Sequence, residues 1–160
     1  MTTRPVIAVI AAVAVAAAVI IPISSAPAAS SRTFTLQSKL DRSTLHRIDS
    51  GKHGNSAGDE FVLATSLSRG GSPAGRALYV QTAVDDRYRG LSQVVQLMLP
   101  EGTLELQGAG LDRRAPGLAK PPVEWDYAIV GGTGAYTGAS GIVHPVDTKS
   151  GQDLEVKLAG

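Results

Sequence analysis

Residues Ala128-Ile-Val-Gly-Gly-Thr-Gly-Ala-Tyr-Thr-Gly-Ala-Ser-Gly-Ile142 are the stretch on which the reading of this chain turns. Its glycines stand at 131, 132, 134, 138 and 141, a spacing that ends a strand at Val130, turns the backbone sharply and sends it back as a new strand. The ring of Tyr136 is expected to pack back on the body, and the small Ala139 and Ser140 let the returning strand approach closely. A nucleotide site is not indicated. Gly132-x-Gly134 is followed by glycine at the fourth position and not the third, and no amphipathic helix follows to offer its N-terminus to phosphate.

Period-two alternation runs outward from this segment in both directions, which marks half-buried strands. Val123, Trp125, Tyr127 and Ile129 alternate with Glu124, Asp126 and Ala128 ahead of it, while Ile142-Val143-His144 and Leu154 to Leu158 follow it. Further upstream, Pro100-Glu101-Gly102 joins Val95, Leu97 and Leu99 to Thr103-Leu-Glu-Leu-Gln107. Pro fixes φ and Gly accepts positive φ, so Ser92 to Gln107 reads as a hairpin. Three earlier runs alternate in the same way: Phe34, Leu36 and Leu40; Phe61, Leu63, Thr65 and Leu67; and Leu78, Val80 and Thr82, with Tyr79 and Gln81 facing the other way. About eight strands with Gly and Pro punctuation predict an all-β sandwich or barrel. Two longer connections, Asp41 to Gly58 and Gly108 to Pro122, interrupt the spacing, and the second is expected to rim a pocket.

The N-terminus carries a separate message. Arg4 precedes an apolar run from Pro5 to Ile21, which Pro22, two serines and the small-x-small site Ala26-Pro-Ala28 then close. That pattern predicts a signal peptide over residues 1–28 and a secreted domain over 29–160, with its core at about 33–158. The rival is an N-terminal membrane anchor, but a spanning helix needs about twenty apolar residues and Pro22 closes this run early. Loss of Arg4 leaves Lys and Arg equal in number to Asp and Glu, so the exported domain is formally neutral and is expected to leave the membrane.

Composition narrows the chemistry. The chain has 160 residues, a formal charge of +1 and no cysteine, which excludes disulfides, thiolate metal sites, cysteine nucleophiles and a lipid-anchored N-terminal cysteine. No cluster of Lys and Arg interleaved with rings is present, so nucleic acid is not an expected partner. Asp85-Asp86-Arg87-Tyr88-Arg89 and Arg113-Arg114 read as solvated loop charges. His46, His53 and His144 lack ligand spacing, and no Gly-x-Ser-x-Gly elbow exists; neither a metal site, nor a cofactor, nor a hydrolase triad is expected. The polar residues that could act as acid, base or anion contact are Glu60, Arg76, Glu105, Glu124 and Asp126, most of them expected on the outer face. Glu124 and Asp126 share one strand face about 7 Å apart, the spacing of a carboxylate pair. If the large side chains of their strand point inward, Trp125 and Tyr127 are the candidates to line a ligand cavity, together with Tyr79 or, from the opposite face of the same strand, Leu78.

The glycine stretch resembles the signature of the allene oxide cyclase and dirigent barrel-like families. The matching residues are Gly131, Gly132, Thr133, Gly134, Tyr136, Gly138 and Gly141, and the resemblance extends to Gly58-Asp59-Glu60-Phe61, Leu99-Pro100-Glu101-Gly102 and Gln107-Gly108. It implies an eight-stranded antiparallel barrel with an apolar cavity for a small apolar molecule, and assembly as a homo-oligomer, a trimer in the plant members. No catalytic residue transfers with it. Three functions follow as expectations: a barrel that binds a small apolar molecule; a cofactor-free cyclase, isomerase or stereochemical guide for a reactive intermediate; and an interaction module whose barrel is filled. A cavity of roughly 300 Å³ or more separates the first two from the third, and convergent polar groups within it favour the second. For the export expectation, protein recovered from the culture medium should begin at Ala29 on N-terminal sequencing. Intact Met1 on that material would remove the cleavage reading.

Overall fold

The computed structural model describes residues 31–86, 90–111 and 125–160. The expected signal peptide at 1–28, Arg87-Tyr88-Arg89, Arg113-Arg114 and Glu124 lie outside the described residues. Nine strands follow one another: β1 (Arg32–Leu40), β2 (His46–Ile48), β3 (Glu60–Arg69), β4 (Ser72–Ala83), β5 (Gly90–Leu99), β6 (Gly102–Leu111), β7 (Tyr127–Gly132), β8 (Gly141–Asp147) and β9 (Gly151–Leu158). Each pairs antiparallel with its neighbours in the order β1-β9-β8-β7-β6-β5-β4-β3-β2. β1 also pairs with β3, from Gln37 opposite Ser68 to Leu40 opposite Thr65, so eight strands close into a barrel. The three-residue β2 extends the edge of β3 where β1 has ended.

The hairpin expected around Pro100-Glu101-Gly102 is present, with Leu99 opposite Gly102 and an unbroken ladder back to Gly90 opposite Leu111. Gly70 and Gly71, both at positive φ, make the tight turn between β3 and β4. Alternation then sorts side chains. Leu36 of β1, Leu67 of β3, Val95 and Leu97 of β5, Leu104 and Leu106 of β6, Ile129, Val143, Leu154 and Val156 point inward and are buried.

Three boundaries differ from expectation. β6 runs on to Leu111, taking in Gly108 and Gly110, which a pattern read from apolar side chains cannot register. β7 starts at Tyr127, leaving Trp125 and Asp126 just ahead of it, and runs two residues past its expected end at Val130, to Gly132, where glycine still pairs through its backbone with β6. The connection from Asp41 to Gly58 holds a 3-10 turn (Arg42–Thr44), β2 and a buried hub. Its centre is the carboxylate of Asp59, fully buried, which accepts hydrogen bonds from Arg47 Nη2 (2.8 Å), the Ser50 amide (2.9 Å) and the Ser56 hydroxyl (3.1 Å). Charge-assisted bonds of this kind offset the cost of taking the carboxylate out of water.

The glycine segment closes one end of the barrel. The Ala135 amide donates to Glu101 O (2.9 Å) and the Thr133 amide to Thr103 O (2.8 Å), stitching the segment to the β5–β6 turn. Tyr136, 1% exposed, packs into the core, and the Arg32 guanidinium lies over its ring at 4.7 Å. Glycine is required here for two separate reasons. Gly134 sits at φ +60, and a Cβ there would lie 2.5 Å from Glu101 O; Gly132 has ordinary φ, but its Cβ would lie 2.7 Å from Thr103 O. At Gly131 nothing lies within 4 Å of a Cβ. Gly134→Val and Gly132→Val are each expected to cost about 2–4 kcal/mol, the first through φ and crowding together, the second through crowding alone. Gly131→Ala should change stability by no more than about 0.5 kcal/mol. Urea midpoints for the three variants check this, and equal midpoints would refute it.

Candidate ligand cavity

The end of the barrel opposite the glycine closure is hollow. It holds a cavity of about 360 Å³, lined by the last residues of β1, β4 and β8, the first of β5, β7 and β9, and the first half of β3. The reason lies in side-chain size. Inward positions that carry Leu at the closed end carry Ser38, Thr65, Gly108 and Gly110 here. A side chain at Gly108 would run into the Tyr127 ring and one at Gly110 into the Trp125 ring, so these glycines seat the two aromatics against the β6 wall. Leu40, Leu63, Leu91 and Pro145 supply apolar wall.

Two hydrogen-bonded sets of side chains stand in this wall. In one, Ser38 Oγ lies 2.8 Å from Thr65 Oγ1 and 3.3 Å from Tyr79 Oη. In the other, Tyr127 Oη donates to Gln93 Oε1 at 2.6 Å and accepts from Trp125 Nε1 at 3.4 Å. Gln93 is 2% exposed, and its Nε2 has no hydrogen-bond partner among the described residues. Gln81 lies opposite Gln93 in the β4–β5 ladder, and Gln152 and Asp147 add polar groups where β9 begins and β8 ends, with Gln152 donating to Asp147 at 3.0 Å. No Lys, Arg or His lines the cavity among the described residues. Burial pushes the Tyr127 phenol far above its ordinary value, and raises Tyr79 too against the opposing hydrogen bond with Ser38. Both phenols are therefore neutral hydrogen-bonding groups across the physiological range.

Tyr79, Trp125 and Tyr127 thus stand together in the cavity wall. Of β4, it is the face carrying Tyr79 and Gln81 that points inward, while Leu78 and Val80 lie half-buried on the outside. The charged candidates do not converge. Glu60, Arg76, Glu105 and Asp126 are absent from the lining; Glu105 accepts from Gln96 Nε2 at 3.2 Å on the outer surface, and Arg76 is exposed. Asp126 is exposed and lies 2.6 Å from His144 Nδ1, so its nearest ionisable neighbour is a histidine; Glu124 lies outside the described residues. The cavity's carboxylate is instead Asp147, at the end of β8. Gln93 and Ser38 also went unmarked in the sequence. Gln93 interrupts the inward series Leu91, Val95, Leu97 with a polar residue, and that interruption was the available signal.

No protein-family profile matches the chain, and no curated protein does. Solved structures do. A pyocyanin demethylase is 25% identical, with a TM-score of 0.59, over 80% of this chain and 100% of its own. A pterocarpan synthase dirigent protein is 19% identical, with a TM-score of 0.53, over 81% of this chain and 92% of its own.

The burial of the two phenols has a pH signature. Folding is supported in full by their burial below the ordinary phenol value of 10.0, and that support is lost as pH rises through their raised folded values, because the unfolded chain releases those protons first. In a spectrophotometric titration of the folded protein, Tyr79 and Tyr127 are expected to ionise late, together with unfolding. A Tyr79→Phe, Tyr127→Phe chain should lack that late component; the same late amplitude in both proteins would contradict the assignment.

Proposed function

From a chain that is an eight-stranded barrel of the dirigent and allene oxide cyclase-like type, we propose an exported protein that binds a small, largely apolar molecule inside the barrel. The observation that carries this reading is the cavity itself, about 360 Å³ at one end of a barrel whose other end is packed solid. Ligand pockets begin at roughly 300 Å³, so the space suits a molecule of one to three rings. Walls of Leu, Pro and aromatic carbon supply the transfer free energy, and the few uncharged polar groups fix orientation.

A second reading draws on the two polar groups. Ser38, Thr65 and Tyr79 share the lining with Gln93, Tyr127 and Trp125, an arrangement able to hold one conformer of a reactive molecule. That supports a cofactor-free cyclase, isomerase or stereochemical guide. The pyocyanin demethylase, similar in fold, is by its name an enzyme that acts on pyocyanin.

Binding is testable with a neutral apolar fluorophore, N-phenyl-1-naphthylamine. One molecule per chain is expected to bind with Kd on the order of 10 μM. Leu63→Trp, which places a larger ring in the cavity wall, should abolish the fluorescence rise while leaving the far-ultraviolet spectrum unchanged. A wild-type chain that gives no rise, or a Leu63→Trp chain that gives the same rise, would overturn the reading.

A further inference from the structure

Two glycines of β6 are not demanded by the backbone. Gly108 and Gly110 lie within the ladder, opposite Gln93 and Leu91 of β5, and neither has the positive φ of a turn. Glycine weakens a strand, and inside one it marks a place where another group approaches the backbone closely. Here the groups are rings. A Cβ on Gly108 would meet the Tyr127 ring, and one on Gly110 would fall among Cε3, Cδ2 and Cζ3 of the Trp125 indole. The two rings are held differently. Tyr127 is 2% exposed and bound to Gln93 Oε1 at 2.6 Å, a fixed part of the wall. Trp125 is half-buried, lines the cavity ahead of the β7 ladder, and is tethered through Nε1 to Tyr127 Oη at 3.4 Å. Of the two, the indole is the adjustable wall.

We propose that Gly110 is a specificity-determining residue: by ceding its side-chain space to the Trp125 indole it sets how large a ligand the barrel admits. This rests on the cavity being a ligand site and identifies what fixes its capacity. Gly110 is not itself in the lining; it acts from behind the ring. The β6 backbone stands on one side of the indole and the cavity on another, so a side chain at 110 is accommodated by moving the ring off the strand and into the space it lines. The Leu91 side chain, opposite Gly110 in β5, lines that same space. One methylene of room in an apolar pocket separates neighbouring ligands by about tenfold or more, and the largest ligand is the first to be lost. A ring that merely covers bare strand backbone has a different signature. Filling position 110 would then lower stability without changing the preference among ligands.

Two neutral fluorophores share a naphthylamine head and differ by one ring: 1-naphthylamine and N-phenyl-1-naphthylamine. Fluorescence titration of the wild-type chain should show both bound. In Gly110→Ala the Kd of the phenyl-substituted probe is expected to rise about tenfold or more, and that of 1-naphthylamine by less than about threefold. In a Trp125→Ala background the same change at 110 should leave both Kd values within about twofold, because the ring through which it acts is gone. A loss shared equally by both probes, or one that persists undiminished without the indole, overturns the proposal and leaves Gly110 a packing position. No binding of either probe by the wild-type chain overturns the ligand-binding reading, and the proposal with it. Should Gly110→Ala not fold, Trp125→Ala decides alone. Removal of the indole should tighten binding of the larger neutral dye Nile red by at least about fivefold, and unchanged binding overturns the proposal.

Discussion

Closure of the sheet is the constraint from which the rest of the structure follows. β1 pairs with β9 from Arg32 opposite Leu158 to Lys39 opposite Gly151, and with β3 through Gln37 to Leu40. No cysteine is available to hold the ends of the chain together, so this pairing does the joining. An eight-stranded barrel has an interior just wide enough for its own side chains. A cavity can exist only where inward side chains have been shortened. Leu36, Leu97, Leu104, Leu106 and Tyr136 fill one end, whereas Ser38, Thr65, Gly108 and Gly110 leave room at the other. Position along each strand thereby decides whether a residue serves packing or the cavity.

The two ends differ in how they are held. At the closed end the backbone of Thr133 and Ala135 is bonded to the β5–β6 turn, and the rings of Phe34 and Tyr136 lie under the guanidinium groups of Arg69 and Arg32. At the hollow end rigidity comes from side chains. The Trp125–Tyr127–Gln93 chain ties the residues before and within β7 to β5, and Ser38, Thr65 and Tyr79 tie β1, β3 and β4. Polar networks that are nearly satisfied specify one arrangement in a way that apolar walls alone do not. Hydrogen bonds within the wall hold the hollow end in shape, where packed leucines hold the other.

Much of the fold was legible because turn chemistry is local. Pro100-Glu101-Gly102 and the glycines after Val130 announce themselves without reference to the rest of the chain; the first stands where the sequence placed it, and the second turn begins two residues later than expected, because β7 runs on through Gly131 and Gly132. The inward face of β4 was not legible. Its inside carries Ala77, Tyr79, Gln81 and Ala83 and its outside Leu78 and Val80, so the hydrophobic pattern is inverted wherever the interior is a cavity and not a core. Gly108 and Gly110 were invisible for a related reason: their contribution is the space taken by two rings distant in sequence. The charged residues drew attention as candidate acids and bases, yet Glu60, Arg76, Glu105 and Asp126 are set outside by strand parity or by lying ahead of β7. Strand parity needs the register, and closure of the whole barrel sets the register.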